Sequence, residues 1–293
     1  MYKIISSIRV FTAIFAIFVL FSPAHARTFQ IADNRFISYT DIGHGRPIIL
    51  IHAFPTDRRL WEPARNEIED VFRDSRIFRI ISIDLWGFGQ SSSANGQAIM
   101  MSDYADEVSQ LLDHLDIKSA VIGGESMGGY IALAFLEKFP KKVEGLILSD
   151  TQSIADSPET KAKREATAVD VIEHGTENLI NEFISKALSP DASEKTRMFL
   201  KYVLEKQDKM AIASALRGMA LRHDTSNILA NSSLPILILT GEKDKVISPQ
   251  QSQNMHALAK NSKLIVIPNA GHLSSLEQPK KWINAVIDMF YVP

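Results

Sequence analysis

The apolar run Ala120-Val121-Ile122-Gly123 enters Gly124-Glu125-Ser126-Met127-Gly128. The helical stretch Gly129-Tyr130-Ile131-Ala132-Leu133-Ala134-Phe135-Leu136 follows at once. A strand-like segment is thus joined to a helix-like one by a turn that carries a serine between two glycines. Glycine is required where strand and helix approach too closely for a β-carbon. On such a turn a serine hydroxyl stands clear of the backbone, as a nucleophile must.

The rest of the chain continues this alternation. Residues 35–39 read as a strand ended by the turn Gly43-His44-Gly45. Residues 47–51 are continuously apolar, as in a strand buried on both faces. Further β-rich runs lie at 78–83, 120–122, 143–148, 234–239 and 263–267. Helical spacing is found at 61–72 and at 104–115, where Val108, Leu111, Leu112 and Leu115 share one side, and helices are expected at 249–259 and 280–290. Strands alternating with helices predict an α/β fold with a mostly parallel twisted sheet flanked by helices.

One segment departs from the pattern. Between about Gln152 and Ser232 only helices are expected, at 166–172, 177–188, 195–206 and 211–221. We read 152–232 as a helical cap inserted between two late strands, with the core formed by 27–151 and 233–293. Met198, Met210 and Met219 are adaptable apolar side chains, suited either to a pocket wall or to core packing.

The first residues read as an export signal. Lys3 and Arg9 precede an apolar stretch, 10–21, and Ala24-His25-Ala26 follows Ser22-Pro23. This is the three-part secretory pattern, with cleavage expected after Ala26 and the mature chain starting at Arg27. A periplasmic or secreted protein follows, with no stable membrane insertion once the signal is removed. The alternative is an uncleaved membrane anchor, although 10–21 is short of the ~20 residues a span requires. The net charge of −2, with no basic block, gives no footing for nucleic acid. The absence of cysteine excludes disulfides and thiolate chemistry.

A serine needs a base to take its proton and an acid to orient that base. Asp244, in Gly241-Glu242-Lys243-Asp244, and His272, in Ala270-Gly271-His272, each lie just past a strand end, where functional groups of α/β sheets collect. Asp150 also ends a strand and is a rival acid, with Glu242 a weaker one. His52 is read as a support for its own loop, His44 as a turn residue, and His114, His174, His223 and His256 as solvated or capping groups. No histidine set has metal-ligand spacing, and 123–129 matches neither a phosphate loop nor a dinucleotide fingerprint, so no metal and no cofactor are expected.

Gly-Glu-Ser-Met-Gly-Gly-Tyr, Gly-Glu-Lys-Asp and Ala-Gly-His, with His52-Ala53-Phe54-Pro55 and Asp84-Leu85-Trp86-Gly87-Phe88-Gly89-Gln90-Ser91 upstream, carry a resemblance. In this order, and from about Phe29 to the end, the chain resembles the α/β-hydrolase superfamily. Its look is that of bacterial carboxylesterases, enol-lactonases and cofactor-free haloperoxidase-like proteins. The resemblance implies a triad of Ser126, Asp244 and His272, and an oxyanion hole made by the backbone N–H groups of Phe54 and Met127. It implies a serine hydrolase that takes a small-molecule acyl substrate, a carboxylic ester or lactone, through an acyl-enzyme on Ser126. The same triad also serves thioester, amide or C–C cleavage, and some relatives bind ligands with slow turnover. Serine at the turn argues against the carboxylate-nucleophile chemistry of dehalogenases and epoxide hydrolases. Two positions depart from the family pattern: Ala53 replaces a common glycine beside Phe54, and Trp86 replaces a common arginine.

Overall fold

The computed structural model describes residues 26–31, 34–72 and 77–291. Of the export signal read at 1–26, all but Ala26 lies outside the described residues. The strands are β1 (Arg27–Gln30), β2 (Phe36–Gly43), β3 (Arg46–Ile51), β4 (Phe78–Asp84), β5 (Ala120–Glu125), β6 (Val143–Ser149), β7 (Ile236–Gly241) and β8 (Ser262–Ile267). They form one sheet in the order β1-β2-β4-β3-β5-β6-β7-β8. β1 and β2 pair antiparallel and β2 meets β4 antiparallel, while every later pairing is parallel.

Side chains of the central strands are divided between two cores by strand periodicity. Ile49, Ile51, Ile122, Leu146, Leu148, Ile236 and Ile238 pack into one core. Their neighbours Ile48, Leu50, Val121, Ile147, Leu237 and Leu239 pack into the other. Helices α2 (Met101–His114), α3 (Met127–Lys138) and α9 (Pro249–Leu258) contribute to the first core. Helices α1 (Glu62–Phe72) and α11 (Pro279–Phe290) lie on the second, where Trp61 and Trp282 meet at 5.2 Å between rings. Burial on both faces explains why the central strands are legible as unbroken apolar runs. β8, at the β-rich run 263–267, is the sheet's edge, and only its Ile267 is buried.

Between β6 and β7 the chain forms only helices among the described residues: α4 (Pro158–His174), α5 (Glu177–Ala187), α6 (Glu194–Leu204), α7 (Lys209–Leu221) and the short α8 (Ser226–Asn231). α4 begins well before the expected 166. Pro158 occupies its first turn and the Ser157 hydroxyl caps it by accepting from Thr160 N–H. The following Lys161, Lys163, Arg164 and Glu165 are charged, so no apolar period marks this turn. α4 packs against α7. Of the three methionines, Met219 is buried, Met210 is partly covered beside Gly96, and Met198 is 58% exposed.

Helix α10 (Ser274–Glu277) follows β8. Among the described residues, no helix is long and apolar enough to cross a membrane. Nor do these residues contain a group of three His, Cys, Asp or Glu that could hold a metal ion.

Candidate active site

At the C-terminal end of β5, Ser126 adopts φ 56° and ψ −113°, a conformation that side chains disfavour. Strain of this kind costs about 1–3 kcal/mol and must be held by its surroundings. Ser126 N–H donates to Ser149 O at 2.8 Å, and the Thr151 hydroxyl donates to Ser126 O at 2.7 Å. The glycines permit the turn: a β-carbon on Gly124 would stand 2.0 Å from the Gly128 backbone, and one on Gly128 would stand 2.1 Å from Ile51 O. The strand-to-helix approach read from the sequence is therefore a steric requirement at these two positions.

His272 is delivered by the loop after β8. Its N–H donates to Ala187 O at 2.7 Å, at the end of α5. The Glu277 carboxylate gathers Gly271 N–H at 2.7 Å together with the Ser189 N–H and hydroxyl. Asp244 sits on the loop after β7, where its Oδ1 accepts from Val246 N–H at 2.8 Å and Ile247 N–H at 2.9 Å. Its Oδ2 remains for His272 Nδ1, at 2.8 Å. On the other side of the ring, Nε2 is 2.8 Å from Ser126 Oγ. With the carboxylate as acceptor at Nδ1, the neutral ring carries its proton there and Nε2 is free to accept from Ser126. Burial pulls the His272 pKa down, but the charge and hydrogen bond of Asp244 and the charge of Asp150 outweigh it, leaving a net rise.

The rival acids occupy other places. Asp150 accepts from Gly241 N–H at 2.6 Å and from the Ser149 and Ser274 hydroxyls, but does not bond His272. Glu242 accepts from Asn269 N–H at 3.0 Å. His52 is a loop support: Leu85 N–H donates to its Nε2 at 3.1 Å and its Nδ1 lies 3.0 Å from Ala53 O. Burial lowers the His52 pKa to about 4, so this ring is neutral.

The loop after β3 carries Phe54 and passes through a cis bond to Pro55. Among the described residues, neither Phe54 N–H nor Met127 N–H has a hydrogen-bond partner, so both are available to an incoming acceptor. Ala53 is fully buried, and its carbonyl accepts from the Thr56 N–H and hydroxyl. Trp86, where the family pattern has arginine, packs partly buried against the first core. Its indole donates to Ser93 O at 3.0 Å, and the Arg35 guanidinium stacks 3.6 Å above it.

Sequence reasoning passed over the layer beneath the triad. Glu125 is buried and receives the Ser275 N–H and hydroxyl, while Trp282 donates to Ser149 Oγ at 3.0 Å. Burial and the nearby Asp150 push the Glu125 pKa well up, and burial with the charge of Asp244 pushes Asp150 up to about 6. A carboxylate closing an otherwise apolar strand was the available signal.

Ser126 and His272 open into a cavity of about 350 Å³, with Phe54, Val246, Met219 and Arg164 among its walls. Met219 and Arg164 come from the helices inserted between β6 and β7.

Comparison with known proteins agrees with the fold. The family model for the alpha/beta hydrolase fold matches residues 46–279. The AB hydrolase superfamily protein YisY of Bacillus subtilis is 32% identical over 270 residues, spanning 85% of this chain and 93% of that protein. A thermophilic esterase from Thermogutta terrifontis, solved with malate bound, is 32% identical with a TM-score of 0.84, covering 90% of this chain and 97% of that one. An enol-lactonase from Burkholderia xenovorans is 21% identical with a TM-score of 0.79, covering 90% and 99%, and at that identity it supports the fold alone. With its family match, sheet order and strand-to-helix serine turn, the chain belongs to the alpha/beta hydrolase superfamily.

Proposed function

We propose that the protein is a serine hydrolase that cleaves a small carboxylic ester or lactone through an acyl-enzyme on Ser126. The observation that carries this reading is the unbroken hydrogen-bonded chain Asp244–His272–Ser126, with 2.8 Å at both links. The 32% identical esterase supports the choice of an ester.

In the proposed reaction His272 Nε2 takes the Ser126 proton as Oγ attacks the substrate carbonyl. The tetrahedral oxyanion accepts hydrogen bonds from Phe54 N–H and Met127 N–H, donors of a kind worth about 2.7–4 kcal/mol each. Met127 opens α3, so the helix dipole favours the same negative charge. Collapse of the intermediate breaks the ester bond, and His272 hands its proton to the leaving alcohol. Water then gives a proton to His272 and its oxygen to the acyl carbon; the second collapse returns Ser126 and frees the acid. Asp244 holds the ring in register and stabilises the imidazolium in both halves.

Replacing Ser126 by alanine tests this directly. With p-nitrophenyl acetate or butyrate as substrate, kcat falls on the order of 10⁴-fold or more. Full activity in Ser126→Ala would overturn the mechanism. The export pattern at 1–26 adds the proposal that this hydrolysis takes place outside the cytoplasm.

A further inference from the structure

The cavity above Ser126 has apolar walls and charged ones. Ile154, Phe183, Met219, Val246 and Ile247 supply the first, and Asp156 and Arg164 the second, with Thr160 and Ser157 at the start of α4. Asp156 is shared by two guanidinium groups, Arg164 Nε at 2.5 Å and Arg222 Nη2 at 3.0 Å. Within this trio one carboxylate is shared between two guanidinium cations.

Arg222 is only 7% exposed and lies 4.1 Å over the ring of Tyr130, itself a wall of the cavity. Its Nε, Nη1 and Nη2 are buried without hydrogen-bond partners, the contact of Nη2 with Asp156 being an ion pair. Leaving buried donors of a charged group unpaired is costly and calls for an explanation. Arg164 is short of acceptors too. Its Nε and Nη2 reach Asp156, but its Nη1 has only the Met219 thioether, a weak acceptor, at 3.5 Å. Arg222 draws on the same carboxylate, so the single charge of Asp156 is divided between the two guanidinium groups. The N-terminal end of the α4 dipole adds to the positive potential.

We propose that the Arg164 wall of this cavity binds a carboxylate of the substrate, so that the preferred substrate is an ester or lactone bearing a free carboxylate. This rests on the ester-hydrolysing reading above and narrows it. The apolar walls take the carbon chain between the two groups. Arg164 offers the carboxylate its Nη1, which Asp156 does not reach and which has only a thioether for a partner, while Asp156 is divided between Arg164 and Arg222.

The test compares monomethyl glutarate with dimethyl glutarate, which differ only in whether the far carboxylate is masked. By pH-stat at pH 7.5, the monoester shows kcat/KM on the order of tenfold higher. Arg164→Gln removes this preference. The ratio is read on one protein sample, so a lower yield of folded variant cancels. Arg164→Lys keeps the charge without the planar fork and retains part of the preference. Equal or faster hydrolysis of the diester by the wild type overturns the proposal, as does a preference that survives in Arg164→Gln. If neither ester is cleaved, it is the hydrolytic reading that fails, and the anion site is judged by binding. Glutarate, but not glutaramide, then raises the melting temperature of the wild type and leaves Arg164→Gln unchanged. A wild-type protein indifferent to glutarate overturns the site.

Discussion

His272 takes its charge preference from two carboxylates, of which only Asp244 touches it. Asp150 acts through space, from a seat made by Gly241 N–H and the Ser149 and Ser274 hydroxyls. The sign of the consequence is fixed: a general base must be neutral, and a raised pKa keeps the ring protonated to higher pH. The acid limb of kcat/KM therefore lies above the ordinary histidine value of about 6.5. Asp150→Asn removes one of the charges that holds it there. We expect the limb of this variant to move to lower pH, read from kcat/KM between pH 5 and 9 on a p-nitrophenyl ester. A limb that stays in place would show that Asp244 alone sets the base. At this scale Ser126, Asp244 and His272 were legible because each lies where a strand ends and a loop begins. Asp244 and Asp150 were not separable from position alone. What separates them is which oxygens the backbone has already taken: Asp150 is filled by neighbours, and Asp244 keeps one oxygen for the ring.

Gln207, just beyond α6, ties the inserted helices to the loops around the site. Its amide nitrogen donates to Asp57 at 2.7 Å and to Val203 O at 2.7 Å, and its oxygen accepts from Gly89 N–H at 3.1 Å. Asp57 stands three residues beyond Phe54 and is also held by Arg59. Gln207→Ala leaves Asp57 and Gly89 each short of a partner, at a cost of about 1–3 kcal/mol in stability. The loop presenting Phe54 N–H is loosened with it. Urea unfolding reports the first effect and kcat the second; a drop in stability with kcat intact would make Gln207 a strut and nothing more. The strands could be read because their unbroken apolar runs follow from burial on two faces. The early turns of α4 and the whole of α8 could not. A helix packed on one narrow side, or one six residues long, imposes little period on its sequence.

For the whole molecule, the alternation of strands and helices was enough to predict the α/β architecture, since few other folds bury so many short apolar strands from both sides. The division of labour between the sheet and the inserted helices was visible as a break in that alternation. Which side chains of the insertion face Ser126 was not: Met219 reaches the cavity and Met198 is exposed to solvent, although both are methionines on helices of the insertion. β1 begins at Arg27, which is paired with Tyr39 of β2. N-terminal sequencing of the protein from the periplasmic or medium fraction is expected to begin at Arg27, and recovery of intact Met1 in the membrane fraction would overturn it.

The bond from His272 N–H to Ala187 O, with Glu277 fastening Gly271 and Ser189, has a consequence for anyone recombining such enzymes. A β-carbon on Gly271 would stand 2.5 Å from the same carbonyl, so the seam has no slack. The segment that supplies walls of the cavity is also the segment against which His272 is braced. A chimera that exchanges 152–232 wholesale unships the histidine along with the specificity. One that keeps the Ala187–Ser189 junction and exchanges the helices on either side leaves the base on its bearing while the pocket is rebuilt.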